Sequence, residues 1–328
     1  MIKKITAVLL FLCIIFCGTA FAGLQGQRPY KPSSQKQYSQ LKDIYPDISD
    51  GEIAKSVKIS QNPANTELIN NILVFLNYKK LVKQIKKLPP ILWVYCENNR
   101  LLGFRGGAYY DNKNIIILNA NLLMAYSEQR NKIPKYAQDA IDFIAFSSIL
   151  SHELMHYEDF LEVGSINNMD AFSLSEWKAY KRSEKTLEYF LKMSEAEANE
   201  LIPIENFYKS VQVLEDYFTD MRKNYIKIVD AADIFLNNED KICKTFGMDK
   251  NMFKILPFYP QIQFNAKNGG HIIRIDAPLL DFAQTLKFSV NILTGNIDIL
   301  NPPQEIEAVK RQAKNVTIID KNSYSILR

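Results

Sequence analysis

Histidine is scarce in this chain. There are three in 328 residues, and two of them, His152 and His156, lie four apart. Cysteine is almost as rare: of four, Cys13 and Cys17 fall in an N-terminal apolar run, so Cys96 and Cys243 leave room for at most one bridge in the rest of the chain. Either the two pair in an oxidising compartment, or Cys96, in an apolar strand-like run, is a small buried hydrophobe. Charge of one sign is also lacking. The net charge of +4 includes Lys3 and Lys4, and the +2 left without them asks for no nucleic-acid partner. Internal repeats and low-complexity tracts are absent. What is present is ordinary for a soluble globular protein, with 47% hydrophobic and 23% charged residues, enough for a sizeable core.

The longest apolar stretch at the N-terminus, residues 5–16, is shorter than the ~20 residues needed to span a bilayer. Two lysines precede it, and Ala20-Phe21-Ala22 follows before Gly23. That layout predicts a secretory signal peptide over residues 1–22, cleaved after Ala22, and a secreted or periplasmic protein without stable membrane insertion. Lipid anchoring through Cys17 is the weaker alternative, because bulky Phe16 precedes it. Residues 23–52 are polar and carry three prolines, and they read as a flexible leader.

The fold expected from the remainder is α+β. A helix over 66–88 carries Ile69, Ile72, Leu73, Leu76 and Leu81 on one side, with lysines at 79, 80, 83, 86 and 87 as a solvated face or a basic patch. Short strands follow at 91–96, 106–110 and 115–118. The strand at 115–118 is either one arm of a structural hairpin or a free edge on which an extended peptide can pair. A central helix runs over 137–160 and a second from Ser173 to Met193, after Gly164 and a polar loop. A long amphipathic helix is expected over 205–236, with Phe207, Val211, Leu214, Phe218, Met221, Tyr225 and Ile228 in one stripe. Beyond Phe246 the chain becomes strand-like, with a hairpin turning at Thr294-Gly295. These features divide the mature chain into residues 53–245, with the small mixed sheet and the helices, and a C-terminal α/β region, 246–328, of unknown role.

Within the central helix the chain reads Ser151-His152-Glu153-Leu154-Met155-His156-Tyr157. Positions i and i+4 of a helix share a face, so both imidazoles can reach one cation, and Glu153 can hydrogen-bond a metal-bound water as a general base. Residues 137–160 contain neither Pro nor Gly, and Phe143, Phe146, Ile149, Leu150 and Leu154 make the helix apolar nearly all round, as for a helix through a domain centre. A surface helix whose histidines merely face solvent would be polar there.

A catalytic zinc needs a third protein ligand. A histidine six residues after His156 is ruled out, since Glu162 stands there, and His271 is a distant, weak candidate. A glutamate from a following helix is the other arrangement. On the helix after Ser173, Glu176, Tyr180, Ser183, Leu187 and Phe190 share the inward face, whereas Glu184 and Glu188 share the opposite side with Lys181 and Lys192. Glu176 is the preferred ligand, with Glu195 and Glu197 in reserve. Ser173-x-x-Glu176 also fits a capping box, and Ser194-x-x-Glu197 raises the same ambiguity. Tyr180, one turn on, is a candidate to orient a histidine or to donate to a developing oxyanion; an ordinary half-buried tyrosine is the alternative.

On His152-Glu153-x-x-His156 and a later helix with Glu176, Ala179 and Tyr180, residues 91–193 resemble the gluzincin-type zinc metallopeptidases. The resemblance implies a zincin-like fold, a small mixed sheet beside the motif helix, and hydrolysis of a peptide or protein substrate. In that reading Zn2+ is held by His152, His156 and Glu176, and Glu153 is the base. Two departures stand out: Glu158 is charged where such enzymes usually carry an apolar residue, and Tyr180 replaces the Asp often found four residues after the glutamate ligand. The competing class is an exported binding or cell-envelope protein that keeps the scaffold without turnover.

Overall fold

Two runs, Ile91–Val94 and Ile115–Asn119, are buried at every position, and a strand without a polar face needs cover on both sides. The computed structural model describes residues 30–83, 87–102, 105–163, 172–256, 258–263, 271–278, 284–314, 316–320 and 323–326. The expected signal peptide, the leader before Tyr30 and the polar loop after Gly164 lie outside the described residues.

The described chain begins with helices α1 (Gln35–Ser39), α2 (Leu41–Ile44), α3 (Asp50–Ser60) and α4 (Pro63–Tyr78), then strands β1 (Ile91–Val94), β2 (Gly107–Tyr110) and β3 (Ile115–Asn119). Two long helices follow, α5 (Lys135–Val163) with the histidines and α6 (Phe172–Lys192) with Glu176. Next come α7 (Glu195–Leu201), α8 (Phe207–Val213), α9 (Glu215–Asn237), α10 (Glu239–Phe246) and α11 (Lys250–Lys254). The last part holds β4 (Tyr259–Gln263), β5 (Ile272–Pro278), β6 (Thr285–Asn291), β7 (Asn296–Ile299), α12 (Pro303–Ala313), β8 (Val316–Asp320) and β9 (Ser323–Ile326). The chain is thus mixed α+β, as expected.

The first sheet has the order β1-β3-β2, with β1 parallel and β2 antiparallel to β3. β3 is therefore the central strand, so of the two alternatives for 115–118 the structure shows the hairpin arm, paired with β2, and not a free edge; β2 is the edge strand on the α5 side. Alternation splits the two apolar runs between two cores. Ile91, Trp93, Ile116 and Leu118 join Phe75, Phe143, Phe146 and Leu150 on the face covered by α4 and α5. Leu92, Val94, Ile115 and Ile117 join Tyr38, Leu41, Ile48, Ile53 and Val57 on the other.

That second cover comes from the stretch read as a flexible leader. Residues from Tyr30 to 52 are packed: the Tyr30 and Ser33 hydroxyls donate to the Ile91 carbonyl, each at 3.0 Å, and Tyr38 Oη accepts from the Trp93 amide at 3.0 Å. Composition misled because this segment is anchored by a few aromatic and aliphatic side chains spaced among polar ones.

Two helix boundaries also differ. α4 stops at Tyr78, ten residues before the expected end, because Lys80 turns left-handed (φ 54°) and the Leu81 amide reaches back to the Leu76 carbonyl at 2.8 Å. This closing turn satisfies the last carbonyls and buries Leu81. The lysines are consequently not one helix face: Lys79 pairs with Glu197 and Lys83 with Glu162. The helix expected over 205–236 is broken at Leu214 into α8 and α9, although its apolar stripe stays in the core.

A separate core forms where β5 and β6 bury alternate residues, among them Ile273, Ile275, Phe288 and Val290, against Phe235, Phe246, Phe253 and Val309. Its boundary is not at residue 246. α9 spans both cores, with Phe218 in the first and Ile228, Ala231, Ala232 and Phe235 in the second. The hairpin at Thr294-Gly295 forms as expected between β6 and β7, with Gly295 at φ 69° where only glycine is unstrained. Cys96 and Cys243 are free thiols.

The N-terminal cover is clamped at Glu52. Its carboxylate accepts from the Ser49 amide and hydroxyl, both at 2.9 Å, from the Glu97 amide at 3.0 Å and from Arg100 at 2.7 Å. Burial opposes ionisation, but these donors outweigh it and hold the carboxyl at about 2 against 4.5 for the free side chain. A depressed folded-state pKa contributes stability above the unfolded value and loses it as pH falls through the folded one. Replacing Glu52 by Ala should lower stability at pH 7 by about 2–4 kcal/mol. In denaturant titrations the gap to the unchanged protein should shrink between pH 4.5 and about 2; a gap constant with pH would refute the clamp.

Candidate metal centre

The site forms where α5 and α6 run closely side by side, and small residues at the contact permit that approach. Ser148, Ser151, Ala179, Ser183 and Thr186 are all buried. Ser183 Oγ donates to the Ser148 carbonyl at 3.0 Å, and Ser151 Oγ meets Thr186 Oγ1 at 3.0 Å, so the hydroxyls of the contact are satisfied across it. An ion pair strengthens it: Arg182 on α6 donates to Glu158 on α5 at 2.6 Å, and the other Glu158 oxygen accepts the Lys83 amide at 2.8 Å. Glu158 is only 2% exposed. The charge that departs from the gluzincin pattern therefore has a buried partner.

At this crossing four ligand-type atoms converge, two imidazole nitrogens and both oxygens of one carboxylate. His152 Nε2 is 3.2 Å from His156 Nε2 and 3.4 Å from Glu176 Oε2, and His156 Nε2 is 3.5 Å from Glu176 Oε1. The three side chains are 13–15% exposed, so the cluster is sheltered but reachable. A tetrahedral ion with bonds of about 2.0–2.1 Å separates its ligand atoms by roughly 3.3 Å. The observed spacings match that edge, and two imidazoles with one carboxylate are a borderline-soft set suited to a small divalent cation. His152, His156 and Glu176 are also the only group of three or more such side chains, among the described residues, that could hold a metal ion.

Glu176 is thus brought to the histidines. Ser173 already lies inside α6, which begins at Phe172, so a capping box is not what the glutamate serves. The reserve acids lie elsewhere, with Glu195 exposed on α7 and Glu197 paired to Lys79. His271 precedes β5 in the second core region and is not part of the cluster. Glu184 and Glu188, expected on the solvent side of α6, instead bind Arg222 of α9 at 2.6 and 3.0 Å.

Glu153 is 5% exposed and faces β2. A Cβ on Gly107 would lie 3.1 Å from Glu153 Cγ and 2.9 Å from the Ile117 carbonyl, and one on Gly106 would lie 2.5 Å from Ile149. Glycine at both positions lets the edge strand reach the motif helix. Burial raises the Glu153 carboxyl to about 7, and Glu176 adds to this; His152, the Tyr109 amide and Arg105 oppose it. Burial depresses the His156 imidazole to about 4, whereas at His152 the Glu176 hydrogen bond and nearby carboxylates overcome burial and raise it. Tyr180 packs its ring edgewise on His152 with centroids 4.7 Å apart, and burial keeps its hydroxyl protonated.

Sequence reasoning missed the support behind His156. With its Nε2 lone pair turned to the cluster, Nδ1 carries the proton and donates to Ser175 Oγ at 2.9 Å, and Ser175 donates to Asp159 Oδ2 at 3.0 Å. This chain fixes the tautomer and ring plane in place of the acid that Tyr180 replaces. The signal was present only as adjacency, Asp159 three residues after His156 and Ser175 just before Glu176. Comparison with family models, curated proteins and solved structures returns no match.

Replacing Ser175 by Ala should weaken metal binding about 10- to 100-fold, with Asp159→Asn acting in the same direction. Competition against a chromogenic chelator measures this; affinity unchanged in both variants would show that the relay does not support His156.

Proposed function

We propose that the protein is an exported zinc-dependent metallopeptidase of gluzincin type, with a zincin-like arrangement of sheet, motif helix and glutamate helix. The reading rests on one observation above all: His152 Nε2 and His156 Nε2 lie 3.2 Å apart and each comes within 3.4–3.5 Å of one oxygen of Glu176, a convergence that suits a small divalent ion such as zinc. Bound there, zinc would act as a Lewis acid, easing ionisation of a water and polarising a carbonyl. The chain's own groups do the rest. His152, His156 and Glu176 would hold the ion. Glu153 accepts the proton of the attacking water and passes it to the leaving amine. Tyr180 holds His152 through its ring contact and keeps a proton available for a developing negative charge.

β2 suits an extended substrate. It is an edge in the order β1-β3-β2 and runs beside Glu153, so a peptide added to it would present its backbone at the site with little side-chain selection. Among the described residues no helix is long and apolar enough to cross a membrane. A binding protein without turnover has no use for a buried carboxyl one residue from a ligand, so catalysis is the preferred reading.

Glu153→Gln should cut hydrolysis of a mixed peptide library by at least about a hundredfold while bound zinc stays near one equivalent. A chelator should abolish cleavage by the unchanged protein, and full activity in the variant would sink the peptidase reading. Metal analysis separates the ligands. Glu176→Ala should lose zinc, whereas Glu195→Ala and Glu197→Ala should retain it; zinc undiminished in the first would refute the ligand set.

A further inference from the structure

Arg105 has no part in the chemistry above, yet it stands at the site. It lies two residues before Gly107, whose backbone abuts Glu153, and its guanidinium carbon is 5.4 Å from the centroid of the Tyr259 ring on β4. Its backbone is held in place: the carbonyl accepts from Asn119 Nδ2 at 2.9 Å and the amide donates to the Leu102 carbonyl at 3.0 Å. Arg100, Arg182, Arg222 and Arg274 each have a carboxylate at 2.6 to 3.0 Å. Arg105 is exposed and has none among the described residues. Burial raises the Tyr259 hydroxyl, and the charges of Arg105 and Glu176 act on it in opposite senses, Arg105 lowering it and Glu176 raising it.

We propose that Arg105, steadied by Tyr259, is a specificity determinant that holds a carboxylate of the substrate at the mouth of the His152–His156–Glu176 site. This deepens the peptidase reading and rests on it for the nature of the ligand. A divalent ion at the cluster offsets Glu153 and Glu176, so Arg105 is the excess charge of the site. No carboxylate among the described residues takes the guanidinium's N–H donors, the planar fork that matches a carboxylate. Tyr259 is supplied by β4 of the C-terminal sheet, so the region after residue 246 acquires a role beside the site. The carboxylate is either an Asp or Glu side chain near the scissile bond or the substrate's own C-terminus.

The test measures binding without turnover, on the full chain carrying Glu153→Gln with one equivalent of zinc. Three fluorescein-labelled alanine-rich heptapeptides are compared by anisotropy: an amidated neutral one, an amidated one with a central Glu, and a neutral one with a free carboxyl end. At least one acidic probe should bind about tenfold tighter than the neutral peptide, and which one does so identifies the source of the carboxylate. In Arg105→Gln that preference should fall below about twofold with the neutral peptide unaffected. Raising salt from 0.05 to about 0.5 M should shrink the preference on the parent protein, a check that needs no variant at Arg105. Equal binding of all three probes, or a preference that survives Arg105→Gln, overturns the proposal. Cleavage by the protein with unmodified Glu153 is read separately, so the peptidase reading can fail while an Arg105-dependent preference stands, and the reverse.

Discussion

The close contact between α5 and α6 is the constraint on which the site depends. His152 and His156 belong to one helix and Glu176 to the other, so a third ligand exists only if the two backbones approach. Ser148, Ser151, Ala179, Ser183 and Thr186 provide the room, and their hydroxyls are satisfied across the contact. The Glu158–Arg182 pair adds a directional lock. A buried charge pair of this kind adds little net stability over apolar residues, but removing one partner strands the other, so it favours one register of the helices over its neighbours.

Around that contact the other elements serve to hold and bound it. The doubly covered sheet fixes β2, and two glycines let this edge come against Ile149 and Glu153. The aromatic cluster of Phe75, Phe143, Phe190 and Phe207 packs between the same two helices and their neighbours, with Phe75 and Phe190 stacked at 4.5 Å. α9 ties the first core to the second through one continuous helix, and Arg222 on it binds Glu184 and Glu188 of α6. Trp177 and Tyr180, on the helix that carries Glu176, pack against the second core. The C-terminal region is thus continuous with the site's own framework.

Much of this was legible along the chain where the governing interaction is local. The i, i+4 spacing put both histidines on one face, the absence of Pro and Gly predicted an unbroken helix, and the 3.6-residue period chose Glu176 over Glu184 and Glu188. The Thr294-Gly295 turn was readable because a left-handed residue there demands glycine. The misreadings have non-local causes. Residues 30–52 look like a leader by composition, yet the far face of β1 and β3 has to be covered and this segment covers it. The end of α4 is set by a left-handed lysine, which no preference for glycine announced. Pairing order within a sheet is not encoded in the strands themselves, so a hairpin arm and a free edge stood as alternatives for 115–118 until the structure placed β3 at the centre.

The sequence by itself determined two histidines on one helix face, their neighbouring glutamate and the helix that carries them, because each follows from periodicity within one element. Only the tertiary structure decided which acid meets the two histidines, the Ser175–Asp159 support of His156, the partner of Glu158 and the place of Arg105 beside Tyr259. Those depend on distances between elements far apart in the chain, and such distances are fixed by packing and by the pairing of buried polar groups, which no single stretch of sequence contains.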